Sequence, residues 1–225
     1  MVIYNGRRVF EDYVENLPMD IEEGLYDKER LNNEIYPYMM YDSRKSFCQG
    51  LIFPVAWNKV YKRELLVNHY CVDERIKMGE DNAFVFECLF YSNSVYFMNK
   101  ILYEYNQLNS GSFTNSYDKD RFKNNKYLTE YIYGRIGGLD SIIDTQINAF
   151  NAYWLIMAVF HEIKCNQKLC SSRKHIRKEI LNNNSLGNIK LKGLPIIAKM
   201  YIVLLRLHLY YFTLVCSKIV NKIRS

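Results

Sequence analysis

Hydrophobic and polar positions along this chain change period several times, and each change predicts an element. MVIYNG opens as a short strand that enters a turn at Asn5-Gly6. A polar stretch through Asn33 follows, with acids at Asp20, Glu22 and Glu23. From Leu31 to Tyr41 the spacing is helical, but Pro37 makes any helix there short or broken. Gly50–Val55 reads as an extended run, with Pro54 excluding a central ladder position, and leads into a helix near Lys62–Asn68. GEDNAFVFECLFYSN, from Gly79 to Asn93, predicts a firmer helix. Its acids fall in the first turn, where the positive end of the helix dipole favours them, and Ala83, Phe84, Phe86, Cys88, Leu89 and Phe90 form an apolar surface. SVYFMNKILYEYN then alternates as two short strands, Val95–Met98 and Ile101–Tyr105, around an Asn99-Lys100 turn.

After Asp118 the pattern is mainly helical as far as Lys168, interrupted at Gly137-Gly138. INAFNAYWLIMAVFHEIK, from Ile147 to Lys164, is its best amphipathic stretch, though nearly apolar all round in the middle. SSRKHIRKEILNNNSLGN reads as part of a basic linker over residues 171–193. The last segment, residues 194–225, reads as one amphipathic helix. Lys192, Lys199 and Arg206 are spaced by seven and share a face, continued by Thr213, Ser217 and Asn221. That pattern leaves three placements open. The helix lies in a membrane interface with its cations at anionic headgroups, packs on the domain, or crosses a bilayer. A crossing has to carry Lys199 and Arg206, each costing roughly 2.5–3.5 kcal/mol at a helix centre.

The whole chain has 225 residues and a net charge of +6, which points to an anionic partner. Position matters more than the sum. From Arg173 onward there are eleven Lys and Arg but a single acid, Glu179. The basic run Arg173–Lys178 carries no aromatic interleaving beyond His175 and no recognition motif, which argues against nucleic acid. Six cysteines without a C-x-x-C pair, after a start lacking an apolar leader, predict a reduced, cytosolic setting.

Candidate chemistry sits at Gly79–Asp81. A carboxylate at a helix N-terminus stays ionised and can act as general base towards a hydroxyl, although most acid pairs in a first turn only cap it. Its context carries more. PVAWNKVYKREL, then GEDNAFVFECLFYSNSVYFMNKILYEYN, then SGS at Ser110–Ser112 closely resembles the second half of bacterial glycosyltransferase family 2 enzymes that build capsular and other cell-surface polysaccharides. Trp57, Asn58, Lys59, Tyr61 and Arg63 match the first element of that pattern and Gly79, Glu80 and Asp81 the second. Tyr103 and Tyr105 match the third, and Ser110 and Ser112 the loop, so the resemblance covers roughly residues 1–115.

The resemblance implies an α/β layer, part of an A-type, Rossmann-like glycosyltransferase fold, followed by an α-helical C-terminal region. The segments are an acceptor-side half over residues 1–115, a helical region over 119–170, the basic linker, and the final amphipathic segment. It also implies inverting sugar transfer from a nucleotide-sugar to a glycan acceptor hydroxyl. Asp81 matches the catalytic base, and Glu80 shapes the helix start or contacts the acceptor. Trp57 offers a flat face to a sugar ring or anchors the following helix. Lys59 lies near the diphosphate, holds the acids ionised, or sits at the helix start. Asn58, Tyr103 and Tyr105 join the acceptor site.

Two departures qualify the match. Asn106 stands where the family carries Arg, and the nucleotide-binding half, with the D-x-D that holds Mg or Mn on the diphosphate, does not precede these motifs. Asp118-Lys119-Asp120 lies after the acid-headed helix, out of order for that role. The expectation is therefore an incomplete glycosyltransferase, inactive alone and peripheral on the cytoplasmic face of a membrane, with a sheet edge left unpaired. The competing expectation is a catalytically dead, membrane-associated module that binds glycan or protein.

Overall fold

The structure, a computed structural model, describes residues 1–44, 50–70, 73–107, 117–164, 168–183 and 186–224. Its mixed sheet is centred on β1 (Val2–Val9). β5 (Ser94–Asn106) runs parallel to β1 on one side. β2 (Val14–Leu17) and the two-residue β4 (Lys59–Val60) pair antiparallel on the other, and β3 (Gly24–Asp27) pairs antiparallel with the start of β5. The fold is thus mixed α/β. β3 covers β5 only over Ser94–Phe97, so from Met98 onward that side of β5 has no neighbouring strand among the described residues.

Two expectations about the strands need correction. Asn5-Gly6 is not a turn, because β1 continues through it to Val9. The Asn5 side chain is buried and accepts the Met19 N–H at 2.9 Å, so this turn-forming residue is used to hold a neighbouring segment instead. Nor do Asn99 and Lys100 turn the chain. The β1–β5 register steps from Tyr4 opposite Met98 to Asn5 opposite Ile101, leaving both residues as a bulge within one long strand. A two-residue hairpin requires positive φ, which neither residue has. Glu23 accepts the Asn99 N–H at 3.0 Å and holds the bulge from β3's side.

Between strands and helices, α1 (Lys28–Arg30) runs into a wide turn at Leu31–Ile35 and a tight one at Tyr36–Tyr38, the irregular path Pro37 predicts. α2 (Arg63–His69) precedes α3 (Glu80–Tyr91). α4 (Arg121–Ile136) and α5 (Ser141–Lys164) follow, separated at Gly137-Gly138 as expected. Ile3, Phe97, Leu31, Phe86, Leu89, Leu128, Ile132 and Ile147 belong to one buried cluster, so strands and the first long helices share a core. Buried Gln146 reinforces the junction by accepting the N–H groups of Met40 and Tyr41, both at 2.8 Å.

A second cluster joins the latter part of α5 to α6 (Leu169–Asn183), α7 (Ile196–Arg206) and α8 (Tyr210–Arg224). The stretch read as a basic linker is largely α6, whose Ser172, Ile176 and Ile180 are buried at helical spacing while its cations face outward. The final segment is two helices, not one. The break at His208 is a Schellman arrangement: His208 N–H donates to Leu205 O at 3.1 Å and Leu209 N–H to Leu204 O at 2.9 Å. His208 takes the left-handed conformation (φ 59°) that usually falls to Gly, so no residue type announced the break. The break also ends the supposed cationic face. Thr213 and Ser217 are fully buried, with Ser217 Oγ donating to the Tyr201 hydroxyl at 3.0 Å. Among the described residues no helix is long and apolar enough to cross a membrane.

Candidate functional site

Gly79 sets the corner from which α3 starts. Its φ of 89° strains any side chain, and an added Cβ would lie 2.4 Å from Leu128 Cδ2 on α4. Met78 meets the Arg121 guanidinium and the Tyr127 hydroxyl donates to Asp73, so the segment before α3 is fastened to α4 on both sides of Ile76. This fixes the two acids that follow. Glu80 is exposed; Asp81 is half-buried and makes no hydrogen bond or ion pair among the described residues. A carboxylate held in the first helical turn without a structural partner is free to accept a proton from a ligand.

Trp57 lies in a tight turn (Ala56–Asn58) that touches α3, β1 and β5 and feeds β4. Its indole crosses β1 at Gly6, where a Cβ would come within 2.3 Å of the ring, so only glycine admits it. Tyr103 and Tyr105, on the parallel neighbour strand, stack on the indole with centroids 4.8 and 5.7 Å away. Phe53 meets it edge-on at 6.1 Å. Tyr103 and Tyr105 are each 39% exposed and the indole is half-buried, so this aromatic set reaches solvent. Three further residues support this set: Gly6, Phe53, and Tyr4, whose hydroxyl donates to Trp57 O at 2.7 Å. Only aromatic content hinted at Tyr4 and Phe53; Gly6 was masked by its resemblance to a turn.

Asn58 and Lys59 turn inward, at 3% and 6% exposure. Asn58 Nδ2 donates to Tyr4 O at 3.1 Å. Lys59 Nζ donates to Phe53 O at 2.8 Å, Val55 O at 2.7 Å and Asn58 Oδ1 at 2.5 Å. All three ammonium donors are therefore spent on the loop carrying Trp57. Lys59 acts here as a buried clasp. Burial pulls its pKa down to about 7, against the opposing pull of the Asp81 charge. Asp81 also acts on Tyr61, whose buried hydroxyl lacks a hydrogen-bond partner among the described residues and whose pKa burial pushes up. These electrostatic links connect the α3 acid to the segment that carries the aromatic set.

A stability prediction follows from Lys59. With a folded pKa near 7 and an ordinary value of 10.5, the unfolded chain binds more protons between those limits. Stability should rise from pH 7 to pH 9 as the cost of burying the cation is relieved. The N-terminal amine, also lowered by burial, adds the same sign, so the test is a difference. In urea unfolding, Lys59→Met should flatten the rise between pH 7 and 9, and an unchanged slope would rule out a buried cation at this position.

The other candidates are quickly placed. Ser110 and Ser112 lie outside the described residues. Asp118 accepts the Asp120 N–H at 2.9 Å and the Asn124 amide at 3.0 Å, so it serves the start of α4. Asn106 ends β5. Among the described residues no three His, Cys, Asp or Glu side chains gather as a metal site. No family model, characterised protein or solved structure matches this chain.

Proposed function

We propose that this chain forms the acceptor side of an inverting glycosyltransferase of cell-surface polysaccharide synthesis and needs a donor-binding half to turn over. One observation carries the reading: a carboxylate with no hydrogen bond or ion pair among the described residues heads α3, and α3 touches the turn that presents Trp57 with the partly exposed Tyr103 and Tyr105 stacked on it. Flat aromatic faces beside a polar rim suit a sugar ring, which is apolar on its faces and hydroxylated at its edge. With a ring seated there, Asp81 takes the proton of the attacking hydroxyl. The oxygen forms its bond to the anomeric carbon as the bond to the diphosphate breaks, and the electron pair leaves with the phosphate. Neutralising that phosphate falls to the donor half, and a divalent cation, where one is used, finds no ligand set among the described residues. Glu80, exposed at the mouth of the helix, contacts the acceptor.

Acceptor binding is testable on the chain alone. Titration with cell-surface oligosaccharides should change the tryptophan fluorescence. By calorimetry, Trp57→Ala should weaken binding by roughly 10-fold or more, because it removes the flat apolar face against which the sugar ring is seated. Asp81→Asn should bind as wild type. Absence of binding to any glycan would remove the acceptor reading.

A further inference from the structure

The C-terminal helix pair presents a surface that sugar transfer does not use. Along α7, Ile196, Met200, Val203 and Leu207 recur every three or four residues and all are exposed, Ile196 at 79% and Leu207 at 62%. The opposite face, Ala198, Tyr201, Ile202 and Leu205, is buried. α8 repeats the division, with Tyr211, Phe212 and Ile219 outward and Thr213, Leu214 and Ser217 inward. Both helices pack on α5, so both apolar stripes are turned away from the same core. A soluble helix ordinarily puts polar residues on its outer face. Here that face is the apolar one.

Charge says what covers it. Lys199 and Arg206 lie along one flank of the α7 stripe, Lys218 lies beside Ile219, and exposed Lys190 and Lys192 precede α7. From Arg173 onward Glu179 is the only acid, and His175 already engages it at 3.8 Å. Beside Arg206 a cavity of about 310 Å³ opens between α6 and the α7–α8 break, walled by Ile180, Leu181, Leu186 and His208. Arg206 reaches it from a fixed position, donating to Leu186 O at 3.0 Å and Ile189 O at 2.5 Å. An apolar face rimmed by cations with almost no acids complements acyl chains beneath anionic headgroups.

We infer that α7 and α8 together form a docking face for an anionic phospholipid bilayer, with Ile196, Leu207 and Phe212 entering the acyl boundary and Lys199, Arg206 and Lys218 at headgroup level. The helices lie on the membrane. This inference does not rest on the glycosyltransferase reading.

Sedimentation of the full chain with vesicles tests it. The chain should pellet with phosphatidylcholine vesicles containing phosphatidylglycerol, far less with phosphatidylcholine alone, and binding should weaken as salt is raised. The double variant Leu207→Asp, Phe212→Asp should bind at least about 10-fold less, given the burial each side chain loses. Lys199→Glu and Lys218→Glu should each weaken binding about 5-fold or more, the conversion of roughly 1 kcal/mol per basic residue near an anionic surface. All four positions are at least partly exposed, and circular dichroism checks that each variant is folded. Equal binding to both vesicle types, no binding, or unaltered binding by the double variant overturns the proposal. So does self-association of the wild type that Leu207→Asp abolishes while vesicles are ignored, which would make the face a contact between copies.

Discussion

Asp81→Asn should lower sugar transfer by about 10²–10⁴-fold once the chain is paired with its donor-binding half, the usual worth of a positioned general base. The amide keeps the size of the carboxylate but cannot take the hydroxyl proton. Asp81 has no hydrogen bond or ion pair among the described residues, so the substitution removes only the favour its charge lends the helix start and the buried Lys59, and the thermal unfolding midpoint should fall by no more than about 2–4 °C. Glycan binding through the aromatic set should also persist, which separates loss of chemistry from loss of acceptor. Glu80→Gln, at an exposed position, keeps a polar contact to the acceptor and removes no proton acceptor from the reacting hydroxyl, so it should cost less than about 10-fold, below the roughly 10²-fold floor for a general base. Transfer by Asp81→Asn at the wild-type rate would disqualify Asp81 and leave a binding module in place of an enzyme half.

How much of this was readable from residue order alone differs from element to element, for physical reasons. The helix after Gly79, the broken path around Pro37 and the division at Gly137-Gly138 were legible because local constraints decide them: dipole, ring closure and missing side chains. Asn5-Gly6 misled because Asn and Gly suit turns, while here Gly6 answers to an indole from a distant segment and Asn5 to a backbone amide near Met19. Asn99-Lys100 misled likewise, since turn and bulge draw on the same residue types and only the partner strand distinguishes them. At the site, the acid heading α3 was legible as a helix start. That Lys59 would spend its charge on three oxygens of its own loop was not, because W-N-K fixes spacing and says nothing of which way each side chain turns.

The second large effect lies under the site, where Arg135→Met should destabilise the fold by about 3–5 kcal/mol. Glu87, on the inner face of α3, is only 2% exposed, and its carboxylate takes the Arg135 guanidinium at 2.9 and 3.0 Å and His69 Nδ1 at 2.9 Å. The pair joins α3 to α4, and His69, stacked on Tyr91 at 4.3 Å, brings in α2. Its two ends are unequally placed. Arg135 has 42% of its side chain exposed and can turn to water when its partner is lost, whereas Glu87 cannot. Removing the cation therefore strands a buried anion, while Glu87→Gln leaves a neutral amide with donors and acceptors nearby and should cost about 1–3 kcal/mol. Replacing both groups together, as Glu87→Leu with Arg135→Met, should recover most of the loss, since two well-packed apolar side chains do without a buried pair. Urea unfolding of the four proteins checks the order. If Glu87→Gln proved the costlier single change, the anion would not be what this network exists to neutralise, and the corner that presents Asp81 would have to be held by the packing of Gly79 on Leu128 instead.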